Sequence, residues 1–115
     1  MSNNKTVTLP AFDTYSVSKQ VDFAMVYEYD IPNDFGGIST VVVVLIDTDT
    51  LAELPFNVTT GTTPALDYYT LNVLWTYTDT ELQALDKDCY EYSIRITFDT
   101  GFETEFERGE FTVKS

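Results

Sequence analysis

The chain has 115 residues, 43% of them hydrophobic and 15% aromatic, which is one domain's length with enough apolar mass to build a core. Its 19 acidic and 6 basic residues leave a net charge of −13, which repels phosphate backbones and anionic lipid and argues against nucleic acid and membrane surfaces as partners. One cysteine, Cys89, and no histidine remove intrachain disulfides, His-based triads and imidazole metal sites together.

Met1-Ser2-Asn3-Asn4 is polar and reads as a flexible tail over 1–4, ahead of one β-domain over 5–115. No charged-then-apolar leader opens the sequence, and the apolar run Val41 to Ile46 is far too short for a membrane span. The expectation is a protein made in a cytoplasm that leaves it only inside an assembly. Lys5 to Phe12 reads as a first short strand, ending near Pro10 and Asp13. Gln20 to Asp30 alternates, with Val21, Phe23, Met25, Tyr27 and Tyr29 on one face and Asp22, Ala24, Val26, Glu28 and Asp30 on the other. Turn formers from Ile31 to Gly37 end that strand. Ile38 to Ile46 is β-branched and nearly continuous, a central strand buried on both faces, with Val42 and Val44 in the core. Asp47-Thr48-Asp49-Thr50 reads as a turn, Leu54 to Thr59 as a short strand and Thr60 to Pro64 as a loop. Tyr69 to Tyr77 alternates again, with Leu71, Val73, Trp75 and Tyr77 pointing one way.

Thr78 and Glu81 have capping-box spacing and predict one or two helical turns, sealed onto the core by Leu82 and Leu85. Tyr90, Tyr92, Ile94, Ile96 and Phe98 then line one strand face, and Asp99-Thr100-Gly101 signals a hairpin. Phe102, Thr104 and Phe106 alternate with Glu103, Glu105 and Glu107. Phe111 and Val113 resume the apolar face an odd step later, so a bulge or tight turn belongs near Arg108-Gly109. Seven to eight short, mostly antiparallel strands with one helical turn define an all-β class, a two-sheet sandwich. The order strand, helical turn, Tyr strand resembles the corner before the penultimate strand of immunoglobulin-like folds, where a tyrosine hydroxyl ties the corner to the backbone. Tyr90 stands at that place, and a plain core or interface tyrosine is an equal reading of it.

The carboxylates offer two patterns with chemistry in them. Asp47 with Asp49, and Asp86 with Asp88, are the candidate metal ligands, but calcium needs six to eight converging oxygens. Leu51 and Ala52 stand where a calcium loop would continue, so turn formation is the plainer role. Glu28 with Asp30, and Glu103, Glu105 and Glu107, are spaced two apart along strands, so neither set makes the facing pair that glycoside hydrolysis requires. The second set reads as the densest acidic edge, turned to solvent or to a basic partner. The aromatics Tyr68, Tyr69, Trp75, Tyr77, Tyr90 and Tyr92 would suit a sugar platform but belong mostly to a sandwich core. Cys89, beside strand tyrosines, is expected to be a small packed side chain. These residues imply no catalytic group and no cofactor: the expectation is a structural or binding module and not an enzyme, and the sequence assigns it no interface residues.

The second half carries a further signal in Thr80-Glu81-Leu82-Gln83-Ala84-Leu85, Tyr90-Glu91-Tyr92-Ser93-Ile94, Asp99-Thr100-Gly101 and Gly109-Glu110-Phe111-Thr112-Val113. This order resembles the closing half of small bacteriophage virion proteins, among them the N-terminal domain of baseplate upper proteins and stand-alone particle proteins of similar length. Leu9-Pro10-Ala11-Phe12-Asp13, Gln20-Val21-Asp22-Phe23 and Asp34-Phe35-Gly36-Gly37 resemble that family's opening, first long strand and first turn. Asp88-Cys89 stands where the family often has Gly before the first Tyr. The resemblance implies an immunoglobulin-like sandwich in a virion, as a tail or baseplate component or a capsid decoration protein. Its partners would be other virion proteins and copies of itself, and it brings no catalytic residues. The reading from another class is a carbohydrate-binding or adhesin-like module.

Overall fold

The computed structural model describes residues 4–6 and 14–114. The strands are β1 (Asn4–Thr6), β2 (Thr14–Ser18), β3 (Phe23–Pro32), β4 (Ile38–Ile46), β5 (Glu53–Pro55), β6 (Asn57–Pro64), β7 (Tyr68–Tyr77), β8 (Cys89–Phe98) and β9 (Glu103–Lys114), with a single 3-10 turn (Asn33–Phe35) and one short α-helix, α1 (Asp79–Gln83). They make two sheets, ordered β1-β3-β7-β6 and β2-β9-β8-β4-β5. This is the strand order of an immunoglobulin sandwich, with its opening strand divided between the two layers. β1 on β3 and β2 on β9 are parallel pairs, and the others are antiparallel. Asn4, placed in the tail by the sequence, stands opposite Val26. Residues 1–3 of that tail, and 7–12 of the expected first strand, lie outside the described residues.

Period-two alternation puts Phe23, Met25, Tyr27, Tyr29 and Ile31 of β3, and Leu71, Val73, Trp75 and Tyr77 of β7, in the core. Trp75 is fully buried, with Phe56, Phe23, Tyr27 and Tyr15 edge-on around it at centroid distances of 4.9, 5.2, 5.6 and 5.7 Å. Such pairs each add about 0.5–1.5 kcal/mol beyond their buried area. The capping box forms as the spacing required: Thr78 Oγ1 accepts from the Glu81 amide, and the Glu81 carboxylate accepts from the Thr78 amide. Leu82 and Leu85 are buried beneath the helix.

Three expectations need correction. In β4 Val44 is buried as expected, but Val42 is 38% exposed, and the residues in the inter-sheet core are Val43 and Leu45, with Val41 packed against them. A register shift between Ile38 and Thr40 inserts Ser39 and reverses the parity of everything after it. The stretch 53–64 is not one strand and a loop. Phe56 turns into the core, its amide bonded to Val43 O at 2.8 Å, and the chain crosses from β5 in one sheet to β6 in the other. Thr60 to Pro64 is therefore strand: β-branched threonines favour it, and an edge tolerates Gly61 and a terminal proline. In β9 the extra residue is Phe106, between the pairs Ile94–Glu107 and Arg95–Glu105, earlier than the expected Arg108-Gly109. The bulge turns both Phe106 and Glu107 inward, so Glu107 is fully buried and not part of an exposed acidic edge.

Candidate docking surface

Antiparallel strand order brings the end of β3, both ends of the β6–β7 and β8–β9 connections and the start of β4 to one end of the sandwich. Segments 33–37, 65–68 and 99–102 meet there. They are braced to one another by backbone and side-chain donors to backbone carbonyls. The Asn33 amide donates to Asp67 O at 3.1 Å, and Asn33 Nδ2 donates to Leu66 O at 3.3 Å. The Asp99 amide donates to Gly37 O at 2.9 Å, and Tyr69 Oη donates to Gly36 O at 2.7 Å. Gly101, at φ 91°, supplies the left-handed residue of the hairpin.

With the backbone held, the apolar side chains of this tip face outward. Leu66 is 91% exposed, Phe102 56%, Tyr68 42% and Phe35 39%. Phe35 packs edge-on against Phe98, and Phe102 stacks beside Phe98 from the other side. Asp34, Phe35, Thr100 and Phe102 border a shallow hollow of about 260 Å³. Asp34, Asp67 and Asp99 stand on the same three segments, which contain no lysine or arginine. The tip is thus apolar, acidic and held by cross-loop hydrogen bonds.

Of the residues singled out from the sequence, Tyr68 and Tyr69 belong to this tip and the others lie elsewhere. Asp47 and Asp49 close on an ammonium, with Lys87 Nζ at 2.7 and 3.0 Å from their carboxylates. Asp47 also accepts from the amides of Asp49 and Thr50, and Lys87 chiefly holds its carboxyl below the usual aspartate range. Asp86 and Asp88 flank that lysine and are exposed, and no group of three or more potential metal-binding residues gathers among the described residues. Lys87 also donates its amide to Tyr90 Oη at 3.1 Å, so the tyrosine hydroxyl ties the corner to the backbone three residues upstream. Of the six aromatics considered for a sugar platform, Tyr68 is exposed and Tyr69 partly so, while Trp75, Tyr77, Tyr90 and Tyr92 are buried. Cys89 opens β8 on the outer face and is exposed, not packed. Glu28 is half covered, and Asp30 accepts from Thr70 Oγ1 at 3.0 Å.

Glu103, Glu105 and Glu107 separate into three environments. Glu103 is exposed and accepts from Thr97 Oγ1. Glu105 takes the guanidinium of Arg108 at 2.9 Å and the Ser93 hydroxyl. Arg108 also pairs with Glu91 and Arg95 with Glu53, each at 2.7 Å, in a ladder across the outer face of β5, β8 and β9. Glu107 sits between the sheets, accepting from Tyr29 Oη at 3.2 Å and Tyr92 Oη at 2.9 Å. Tyr92 Oη is 3.4 Å from Tyr27 Oη, which in turn meets Tyr15 Oη. Burial first, and the Glu107 charge second, push the phenols of Tyr15, Tyr29 and Tyr92 well above their ordinary range, so they serve as neutral donors. This network joins β3 to β8 and β9, the place where antibody domains carry an inter-sheet disulfide. Enclosed from solvent, it is a brace and not a reactive pair. The alternation rule pointed Glu107 outward, and only a bulge position, which the sequence does not mark, reverses it.

No protein-family profile matches the chain, and no curated protein matches it. None of the described helices is long and apolar enough to cross a membrane.

Proposed function

We propose that this chain is a structural protein of a bacteriophage particle, a tail or baseplate component or a capsid decoration protein, that works by docking on neighbouring virion proteins. The observation that carries the reading is the braced tip, where Phe35, Leu66, Tyr68 and Phe102 are presented to solvent on loops fixed by cross-loop hydrogen bonds. The resemblance of the segment from Thr78 onward to small virion proteins supports the particle setting. The interface is expected to desolvate those four side chains and to set basic residues of a neighbouring virion protein against Asp34, Asp67 and Asp99, because like charges across an interface cost several kcal/mol. Chemistry is left to other proteins: Glu107 is enclosed, and Asp47, Asp49, Glu53, Glu91 and Glu105 are held by lysine or arginine.

Mass spectrometry of purified particles from the phage genome that encodes the chain tests this. The chain is expected at a fixed ratio to a major capsid or tail protein, and its absence overturns the particle role. Glycan binding that disappears with Tyr68→Ala would move the tip to the carbohydrate-binding class instead.

A further inference from the structure

We infer that β6 is a self-association edge, on which a second copy of this chain adds its own β6 antiparallel about a two-fold axis. Each sheet of the sandwich ends in two edge strands, and sheet edges left open pair with other chains unless they are short, charged, bulged or interrupted by proline. β1 and β5 are three residues each, one with Lys5 and the other with Glu53 and Pro55, and β2 is five residues followed by Lys19. β6 differs from all three. It runs for eight residues, Asn57-Val58-Thr59-Thr60-Gly61-Thr62-Thr63-Pro64, in unbroken register with β7, and contains no charge. Among the described residues it pairs with β7 alone.

The inner face of this edge is open as well. Thr60 and Thr62 stand opposite the core residues Val73 and Leu71, so they point toward the other sheet, yet both are exposed. β5, the edge strand of that sheet, is only three residues long. Leu54, opposite the core residue Leu45, is 40% exposed at the same open side. A two-fold axis at Gly61 sets Thr60 opposite Thr62 of the second copy and Thr59 opposite its Thr63, pairs that β-branched hydroxyl side chains favour. In a chain of net charge −13 this uncharged strip is where two copies approach with least repulsion. The contact is small against the 1,200 Å² or so of a standard interface, so the dimer is weak and tightens as salt screens the remaining charge.

Sedimentation equilibrium of the full chain at about 0.5 mM, where an affinity of about 0.1 mM is mostly saturated, tests this without reference to any particle. In about 0.5 M salt the expected weight-average mass lies between 13.0 kDa and twice that value, nearer the dimer, and it falls toward one copy in about 0.05 M salt. The T60K/T62K variant brings the net charge from −13 to −11 and so lessens the general repulsion. It also places lysine opposite lysine across the two-fold. Loss of the dimer in this variant, with an unchanged circular dichroism spectrum, supports the β6 edge. A dimer that persists or tightens in it overturns the edge, as does a strict monomer for the unaltered chain at high salt. Hydrogen exchange on the unaltered chain gives a second reading: amides of residues 57–64 should gain protection with concentration, and protection gained elsewhere with none in β6 overturns the inference.

Discussion

The two ends of the sandwich are built from similar residues used in opposite ways. At the end that holds α1, polar groups are spent on one another. Lys87 binds Asp47 and Asp49, its amide meets Tyr90 Oη, the Asp79 amide reaches Asp22, and Gln83 reaches Lys19 O. Above that end the rings of Phe23, Phe56, Trp75 and Phe111 are packed edge to edge in the core. Val21 and Leu51 are exposed there, but singly, on separate turns. At the other end backbone amides and the Asn33 and Tyr69 side chains bond to backbone carbonyls across the loops, and four large apolar groups remain exposed beside Asp34, Asp67 and Asp99. The difference teaches that one end stores the stability that lets the other stay exposed without unfolding. Stability and contact should therefore respond to different substitutions.

The largest expected effect lies near the packed end. Trp75→Ala should cost about 3–5 kcal/mol in denaturant unfolding, as for other fully enclosed large rings. A loss under about 1 kcal/mol would mean that the end thought to carry the stability does not. Next comes the brace between the sheets. Tyr92→Phe removes a hydrogen bond to the buried Glu107 carboxylate and should cost about 1.5–3 kcal/mol, measured in the same way. An unchanged midpoint would show that Glu107 does not need this donor.

Acid should act on the α1 end. Lys87 depresses the Asp47 carboxyl in the folded state, so its contribution is present above the ordinary aspartate value of about 3.9 and is lost as pH falls through the lower folded value. Asp47→Asn should flatten the dependence of stability on pH below about 4 and leave it unaltered near neutrality apart from a constant offset. A variant whose acid limb matches the parent would refute the linkage. The smallest effect is expected at the tip: Leu66→Ser should shift stability by no more than about 0.5 kcal/mol, because its side chain is 91% exposed, and Phe102→Ser should cost about 0.5–1.5 kcal/mol for its stack on Phe98. A large loss would make the tip part of the scaffold and erase the contrast between the ends.

Much of the scaffold is legible in the sequence, because long alternating segments such as Leu71 to Tyr77 and Tyr90 to Phe98 admit one inward face, and Thr78 with Glu81 marks a helix start by chemistry. The misreadings occur where a single residue changes parity. Ser39 moves Val42 out and Val43 in, and Phe106 carries Glu107 into the core. Neither carries a local mark, since a bulge is fixed by the partner strand and not by the bulged residue. Asp47 and Asp49 illustrate the same limit for sites: their spacing is visible, but the ammonium that occupies them comes from residue 87, forty positions away along the chain. Of the tip, the sequence offers Tyr68 and the turns, but not their convergence. Phe35, Leu66 and Phe102 belong to three loops with no shared pattern, and only the strand order gathers them.

The docking role is tested most directly by counting copies. Particles assembled with the unaltered chain and with the Leu66→Ser, Phe102→Ser double variant should be purified and quantified by mass spectrometry, with the stability of each free protein measured in parallel. The expected result is a fixed copy number for the unaltered chain and a loss of at least about tenfold for the variant, equivalent to about 1.4 kcal/mol of contact energy, with its folding intact. Equal incorporation of the two chains would contradict the tip as the docking surface, and absence of both would contradict the particle role itself.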